Sequence, residues 1–389
     1  MQLLQRLLLL LPLIAASPTN LAPLLLHDES TGGYVVKLKE SAAAVADNNV
    51  LRLISVEPDY VYTHVLNGFS AKLDERSLHA VRQHPDVEYV EQVTTDYALG
   101  FDTSYEKWND QSGATWGIAR TSNKKSGIKT YSYHESAGKG VCAYVVDTGI
   151  DDAHPDFGGR AKQIKSFING SEIDDHGHGT HCAGTVGSKT WGIAKEVTLY
   201  GIKVLNSGGR GVGDAVVNGY DYVAVDAPKR NCSGVVVNVS IGGEKAAFKN
   251  DAVAALVKKG YFVAVAAGNN GKDANDYSPS SEPSVCTVGA IQDGDSKASF
   301  SNYGAIVDIQ APGMSIESTT RKGQNGQMSG TSMACPHVAG QAAVLISQGL
   351  AKGPDACDKI KETALKGVVK GLPSGTTADL LFNGNPKAS

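Results

Sequence analysis

The chain has 389 residues, of which 41% are hydrophobic and 20% charged, and it contains 44 glycines. That composition describes a loop-rich globular protein with core enough to fold without a stapling metal, and the length leaves room for two or three domains. A net charge of −4 offers no basic surface for nucleic acid.

At the N-terminus, one Arg precedes an apolar run over residues 7–14, and Ala15-Ala16-Ser17 follows it. The pattern reads as a secretory signal peptide over 1–16. The run is too short to span a bilayer, and no later stretch reaches about 18 apolar residues, so no membrane anchor is expected. Six cysteines in a secreted chain imply disulfides, although spacing alone does not pair them.

Residues 17 to about 32 carry no pattern. Strands are expected at 34–38, 60–66 and 69–73, with Asn67-Gly68 as the turn between the last two. Helices are expected over 41–55 and 75–84, the second stopped by Pro85, and a last strand over 87–91. The order βαββαβ describes a small ferredoxin-like unit over about 33–93, without cysteine or a catalytic cluster. Placed between a signal peptide and a larger domain, it reads as a removable pro-segment spanning 17–104 with its linker. The polar stretch from about 97 to 111 is that linker.

The pattern then changes. Unbroken apolar runs at 141–146, 197–204, 235–240, 261–267 and 285–290 alternate with helical stretches such as 213–227 and 246–259. Strands without polar alternation, separated by helices, imply an α/β fold whose parallel sheet is covered on both faces. Ligands of such folds sit beyond the carboxyl ends of strands.

The sharp motifs lie at those ends. Asp147 closes the first run and precedes Thr148-Gly149. Next comes Asp175-His176-Gly177-His178-Gly179-Thr180-His181, whose glycines make a tight entry into a helix and whose spacing lacks a metalloprotease's H-E-x-x-H. His178 is the candidate imidazole, with His176 and His181 structural. Asn269 follows Gly268 at another strand end and can aim an amide at developing negative charge. Ser332 follows Gly330-Thr331 at the mouth of an apolar helix, with Pro336 expected in or near the first turn. A hydroxyl needs a base to become a nucleophile, and His suits that task near neutral pH. An Asp fixes the imidazole's tautomer, while Asn269 and the Ser332 amide would bind an oxyanion. Acyl transfer is the reaction class that uses all four.

The motifs Asp147-Thr148-Gly149, His178-Gly179-Thr180-His181 and Gly330-Thr331-Ser332-Met333-Ala334-x-Pro336-His337 resemble the three signatures of subtilisin-like serine proteases, in the family's chain order. From about residue 110 onward the chain is similar to the proteinase K branch of secreted fungal proteases. The similarity runs through Tyr133-His134-Glu135-Ser136-Ala137-Gly138 and Ser299-Phe300-Ser301-Asn302-Tyr303-Gly304. The N-terminal unit resembles the family's inhibitory propeptide. The resemblance implies a peptidase domain over 105–389, with Asp147 as orienting acid, His178 as base, Ser332 as nucleophile and Asn269 as oxyanion donor. It implies that substrate adds as a strand between Gly208-Gly209-Arg210-Gly211 and Ser240-Ile241-Gly242-Gly243. The pocket for a large apolar side chain would border Ser240, Ile241 and Gly242 as well as Ala267 and Gly268.

The same resemblance implies the bridges Cys142–Cys232 and Cys286–Cys357, with Cys182 as a buried thiol. Cys335 departs from the family's commoner Thr, and a contact with Cys182 or two separate thiols both stay open. One structural calcium is implied, on the carbonyls of Pro283 and Val285 and the carboxylate of Asp308. A second calcium site, which needs an acid where Val368 stands, is not expected, nor is a catalytic cofactor. Asn169 and Asn231 head glycosylation sequons, and Asn238 heads a third on a strand expected to be buried. The reading is a secreted, monomeric serine endopeptidase, made as a zymogen, that acts on proteins and peptides and is held by its own propeptide. The rival is a catalytically silent binding or adhesion protein, in which an intact set of four would have no use.

Overall fold

The computed structural model describes residues 21–27, 32–47, 49–94 and 108–388. The signal-peptide segment and most of the linker lie outside them. The chain divides into two compact units, Met1–Thr103 and Ser104–Ser389.

In the first unit, strands Tyr34–Leu38, Tyr60–Tyr62, Gly68–Ala71 and Val87–Gln92 form an antiparallel sheet in the spatial order fourth, first, third, second. A short strand, Leu24–Leu25, adds parallel to the fourth. The order is that of a ferredoxin-like fold. Asp74 caps the helix Glu75–Gln83 by accepting from Ser77 N at 2.7 Å. The expected helix over 41–55 is instead two 3₁₀ turns, Val45–Asp47 and Asn49–Leu53. Asn67 explains the change: its amide takes the Val45 N–H and donates to the Ala43 carbonyl, groups a helix would have paired internally. The run expected as a strand to residue 66 pairs only as far as Tyr62.

The second unit is built on seven parallel strands: β1 (Val141–Asp147), β2 (Ala161–Ser166), β3 (Thr198–Lys203), β4 (Gly234–Val239), β5 (Phe262–Ala266), β6 (Cys286–Gln292) and β7 (Ile309–Pro312). They lie in the order β7-β6-β5-β4-β1-β3-β2. Successive residues of β1 face opposite cores. Ala143 and Val145 pack with helices α1 (His178–Gly187) and α4 (Thr331–Ser347), whereas Tyr144 and Val146 pack with α2 (Gly213–Asp226) and α3 (Ala247–Lys258). In α4 every residue except Ser332 and Ser347 is buried, as a helix apolar all round requires. Among the described residues no helix is long and apolar enough to cross a membrane.

Part of the expected linker is structured. Trp108–Ser112 pairs antiparallel with Thr130–His134 at an exposed edge, where polar residues are the rule. Near the far end of the chain, Asn383 Nδ2 donates to Ser132 O at 2.7 Å, and Asn385 Nδ2 donates to Ser122 O at 2.9 Å across a sequence separation of 263. Two disulfides join Cys142 to Cys232 and Cys286 to Cys357, each with Cα atoms 5.7 Å apart.

Candidate active site

Asp147 ends β1 with no exposed surface. Its Oδ1 accepts from Thr148 N at 2.7 Å and from His178 Nδ1 at 2.8 Å. Its Oδ2 is buried and has no partner among the described residues. His178 is the first residue of α1 and comes this close because Gly179 lacks a side chain. A Cβ on Gly179 would lie 2.2 Å from Gly149 O and 3.1 Å from Asp147 Cβ.

Asp174, which the motifs do not single out, holds the turn around this pair. It accepts from His176 N, Gly177 N and Thr180 N, and from the hydroxyls of Thr148 and Thr180. It thereby caps α1 and ties that helix to the loop after Asp147. Its only sequence signal is an acid shortly before a helix start. Fully buried Lys203, at the end of β3, donates to Thr148 O, Leu205 O and Asp175 Oδ1 at 2.7–2.9 Å. The charged side of the site is thus wired to two strand ends.

Burial disfavours a charged imidazole at His178, but the Asp147 carboxylate and, after it, Cys182 together outweigh burial and raise its pKa well above 6.5. His181, one helical turn on, behaves oppositely. Burial lowers it to about 4, and its Nε2 bonds the carbonyls of Ile316 and Gly326. His181 is structural, as expected. His176 instead lines the cleft described below.

Ser332 is the second residue of α4, whose N-cap is Gly330. The first amides of a helix lack internal partners. Here Thr331 N donates to Asn269 Oδ1 at 2.8 Å, and Met333 N and Ala334 N reach Gly330 O. Among the described residues, Ser332 N has no acceptor. Because the Asn269 oxygen is fixed by Thr331 N and Thr331 Oγ1, its Nδ2 is the end left as a donor. A Cβ on Gly330 would lie 3.3 Å from Asn269 Nδ2 and 3.6 Å from Ser332 N. Glycine therefore keeps open a space flanked by two N–H donors.

Pro336 is the sixth residue of α4, near the first turn but past its end. Having no N–H, it leaves the Ser332 carbonyl without its helical donor. That carbonyl accepts instead from Ser240 Oγ at 2.9 Å and Cys182 Sγ at 3.3 Å. In return, Ser332 Oγ donates to Ser240 O at 3.0 Å and not to His178. Cys182 also lies 3.9 Å from His178 Nδ1, so it touches both halves of the site. Cys182 and Cys335 are both free and buried, and burial raises the pKa of each thiol.

A cleft of about 600 Å³ opens over His178 and Ser332. Gly208, Gly209 and Gly211 line it, as do Ser240, Ile241 and Gly242. Ala267 and Gly268 do not; Gly268 N instead donates to Thr331 Oγ1 at 3.1 Å. Asp308 is held by Thr287 N at 2.9 Å, with Lys361 Nζ at 3.4 Å, and burial raises its carboxyl pKa. Pro283 is exposed and Val285 buried just before β6. Val368 packs in an apolar cluster with Ile291 and Leu380. Asn169 and Asn231 are exposed, whereas Asn238 is fully buried.

Residues 138–375 match the Subtilase family, and residues 33–95 match Peptidase inhibitor I9. The cuticle-degrading protease of Metarhizium anisopliae is 45% identical over 98% of this chain and 99% of its own length. Proteinase R of Parengyodontium album is 46% identical over 90% of this chain and 88% of its own. A cold-adapted subtilisin-like serine proteinase of known crystal structure superposes with a TM-score of 0.66 at 38% identity, covering 70% of this chain and 99% of that one. The chain belongs to the subtilase family of serine endopeptidases and carries a peptidase-inhibitor I9 propeptide domain ahead of its catalytic unit.

Proposed function

We propose that Ser332, His178 and Asp147 are the catalytic nucleophile, base and orienting acid, and that Asn269 Nδ2 and the Ser332 amide bind the oxyanion. The observation that carries the reading is the open space at Gly330, flanked by two donors without acceptors, beside an already formed Asp147–His178 pair. On binding substrate, Ser332 Oγ turns from Ser240 O toward His178. Its proton passes to His178 Nε2 as Oγ bonds the scissile carbonyl carbon, and the carbonyl oxygen moves into the donor space. His178 then gives that proton to the leaving amine as the C–N bond breaks. Water, deprotonated by the same imidazole, bonds the acyl carbon, and the bond to Ser332 Oγ breaks as the imidazolium returns its proton to Oγ, releasing the acid. Asp147 stays ionised throughout and stabilises the imidazolium.

Substrate lies as a strand against 208–211 and 240–242, with backbone bonds giving affinity and little sequence demand. A large apolar side chain beside the scissile bond fits against Ser240, Ile241 and Gly242, which line the cleft, and not against Ala267 or Gly268. The chain is secreted through residues 1–16. It acts as a monomer, cuts itself between about 98 and 111, and is inhibited by its own 17–104 segment until then. Calcium suits the donor set at Asp308: the donors are all oxygens, and burial raises the carboxyl pKa despite the Lys361 ammonium 3.4 Å away, so a further positive charge would be favourable. Pro283 O, Val285 O and Asp308 would hold the ion, which stiffens the loop before β6 and takes no part in the chemistry. The sulfurs nearest Asp308 are tied up in the Cys286–Cys357 bond. Exposed Asn169 and Asn231 are the glycosylation positions.

The test is Ser332→Ala. The variant should accumulate as unprocessed precursor, and a serine-directed acylating inhibitor should label the wild type at Ser332 alone. Normal self-processing of the variant would refute the assignment.

A further inference from the structure

We propose that Lys249 makes this peptidase selective for an acidic side chain at one substrate position, three or four residues from the scissile bond. The inference rests on the peptidase reading above. Lys249 is the third residue of α3 and lines the cleft. Its stem and tip touch both lining segments: a Cβ on Gly213 would lie 3.2 Å from Lys249 Cε, and one on Gly243 would lie 3.3 Å from Lys249 Nζ. The ammonium thus crosses the cleft between the two segments.

Distance along the cleft follows from the chain itself. Ser240 O meets Ser332 Oγ, and Gly243 is three residues further on. Extended backbone advances about 3.3 Å per residue, so the ammonium stands roughly 10 Å from the nucleophile. A substrate strand laid beside this edge brings a side chain to Lys249 after three or four residues.

The only partner the fold gives this cation among the described residues is the neighbouring Phe248 ring, 5.9 Å from the ammonium and itself half exposed. The start of a helix disfavours positive charge. Among the described residues Lys249 has no carboxylate partner, and no Asp or Glu lines the cleft. Arg210 is the other permanent cation in the lining. The whole chain carries −4, so a cationic cleft is not a by-product of net charge. Phe248 and Val212, 52% and 68% exposed, stand beside Gly213 and offer apolar surface to the methylenes of a glutamate. Glu is accordingly favoured over Asp.

The experiment profiles the processed enzyme on peptides that differ at one position at a time. At a single position three or four residues from the cut, Glu should exceed Lys in kcat/KM by roughly tenfold, chiefly through KM, and the ratio should shrink as salt is raised. Lys249→Glu should invert the ratio, and Lys249→Gln should flatten it. Cleavage without charge preference at any position three or four residues out would overturn the proposal while leaving the peptidase reading intact. A preference that survives Lys249→Gln but is lost in Arg210→Gln would also overturn it, by moving the role to Arg210. Failure to cleave any peptide would instead sink the peptidase reading.

Discussion

The two halves of the site are held in different ways. Around Asp147 and His178 the restraints are ionic and layered: Asp174 gathers five donors, and Lys203 reaches three oxygens. Around Ser332 and Asn269 they are neutral and few, consisting of a threonine that fixes an amide, a proline that frees a carbonyl, and a serine that takes it up. In the proposed mechanism the first half sets the charge state of a base, so it has to resist reorganisation. The second half needs two donors left unspent, and every added partner would consume one. Rigidity is supplied where charge is managed, and vacancy where charge will appear.

Breaking the ionic half should have the larger effect. Asp147→Asn should lower kcat by about 10⁴, because an amide favours the wrong imidazole tautomer. The acid limb of its pH–rate profile should move as well. His178 works as a base only when neutral, so wild-type activity rises as pH climbs through a pKa held well above 6.5 by Asp147. Without that charge, burial is opposed only by the smaller influence of Cys182, and the limb shifts to lower pH. An unmoved limb would show that another group sets it.

In the neutral half, Asn269→Ala should lower kcat by about 10²–10³ with KM nearly unchanged. Thr331 N also loses its acceptor, which costs about 1 kcal/mol of stability. Asn269→Asp separates the two roles. It keeps the oxygen that caps Thr331 but lacks the donor, so Tm should recover while kcat stays low. Equal recovery of both would remove Asn269 from the oxyanion site.

The smallest effect tests the proline. Ser240→Ala removes one donor from the Ser332 carbonyl and should cost about fivefold in kcat, the order of one hydrogen bond. In a Pro336→Ala background the helix offers its own N–H to that carbonyl, and Ser240→Ala should cost measurably less. Strict additivity would mean that the two do not share the carbonyl.

The two halves also differed in how far the sequence revealed them. Asp147 and His178 stand at the end of an apolar strand and in a glycine-punctuated helix entry, both local patterns. Ser332 was legible because His and Asp motifs supported it, yet its hydroxyl's present partner, Ser240 O, lies 92 residues away in sequence. Asp174 and Lys203 gave no distinct local signal, since their work is to bond backbone groups of other segments. The parallel sheet was readable from unbroken apolar runs, whereas β2 was not, because an edge strand can be half polar. The helix expected over 41–55 failed for the same long-range reason: Asn67 claims its backbone groups. The disulfide pairs came from resemblance alone.

The contacts of Asn383 and Asn385 with Ser132 and Ser122 bear on how the molecule is made. The opening strand pair of the catalytic unit and the segment between its strands obtain these donors only after some 250 further residues have been synthesised. A ribosome delivering the chain from its N-terminus therefore holds a catalytic unit whose first and last pieces cannot yet meet. Contacts of such long range are slow to form. The catalytic unit therefore closes its opening segment against the 383–385 segment only after the latter has been made.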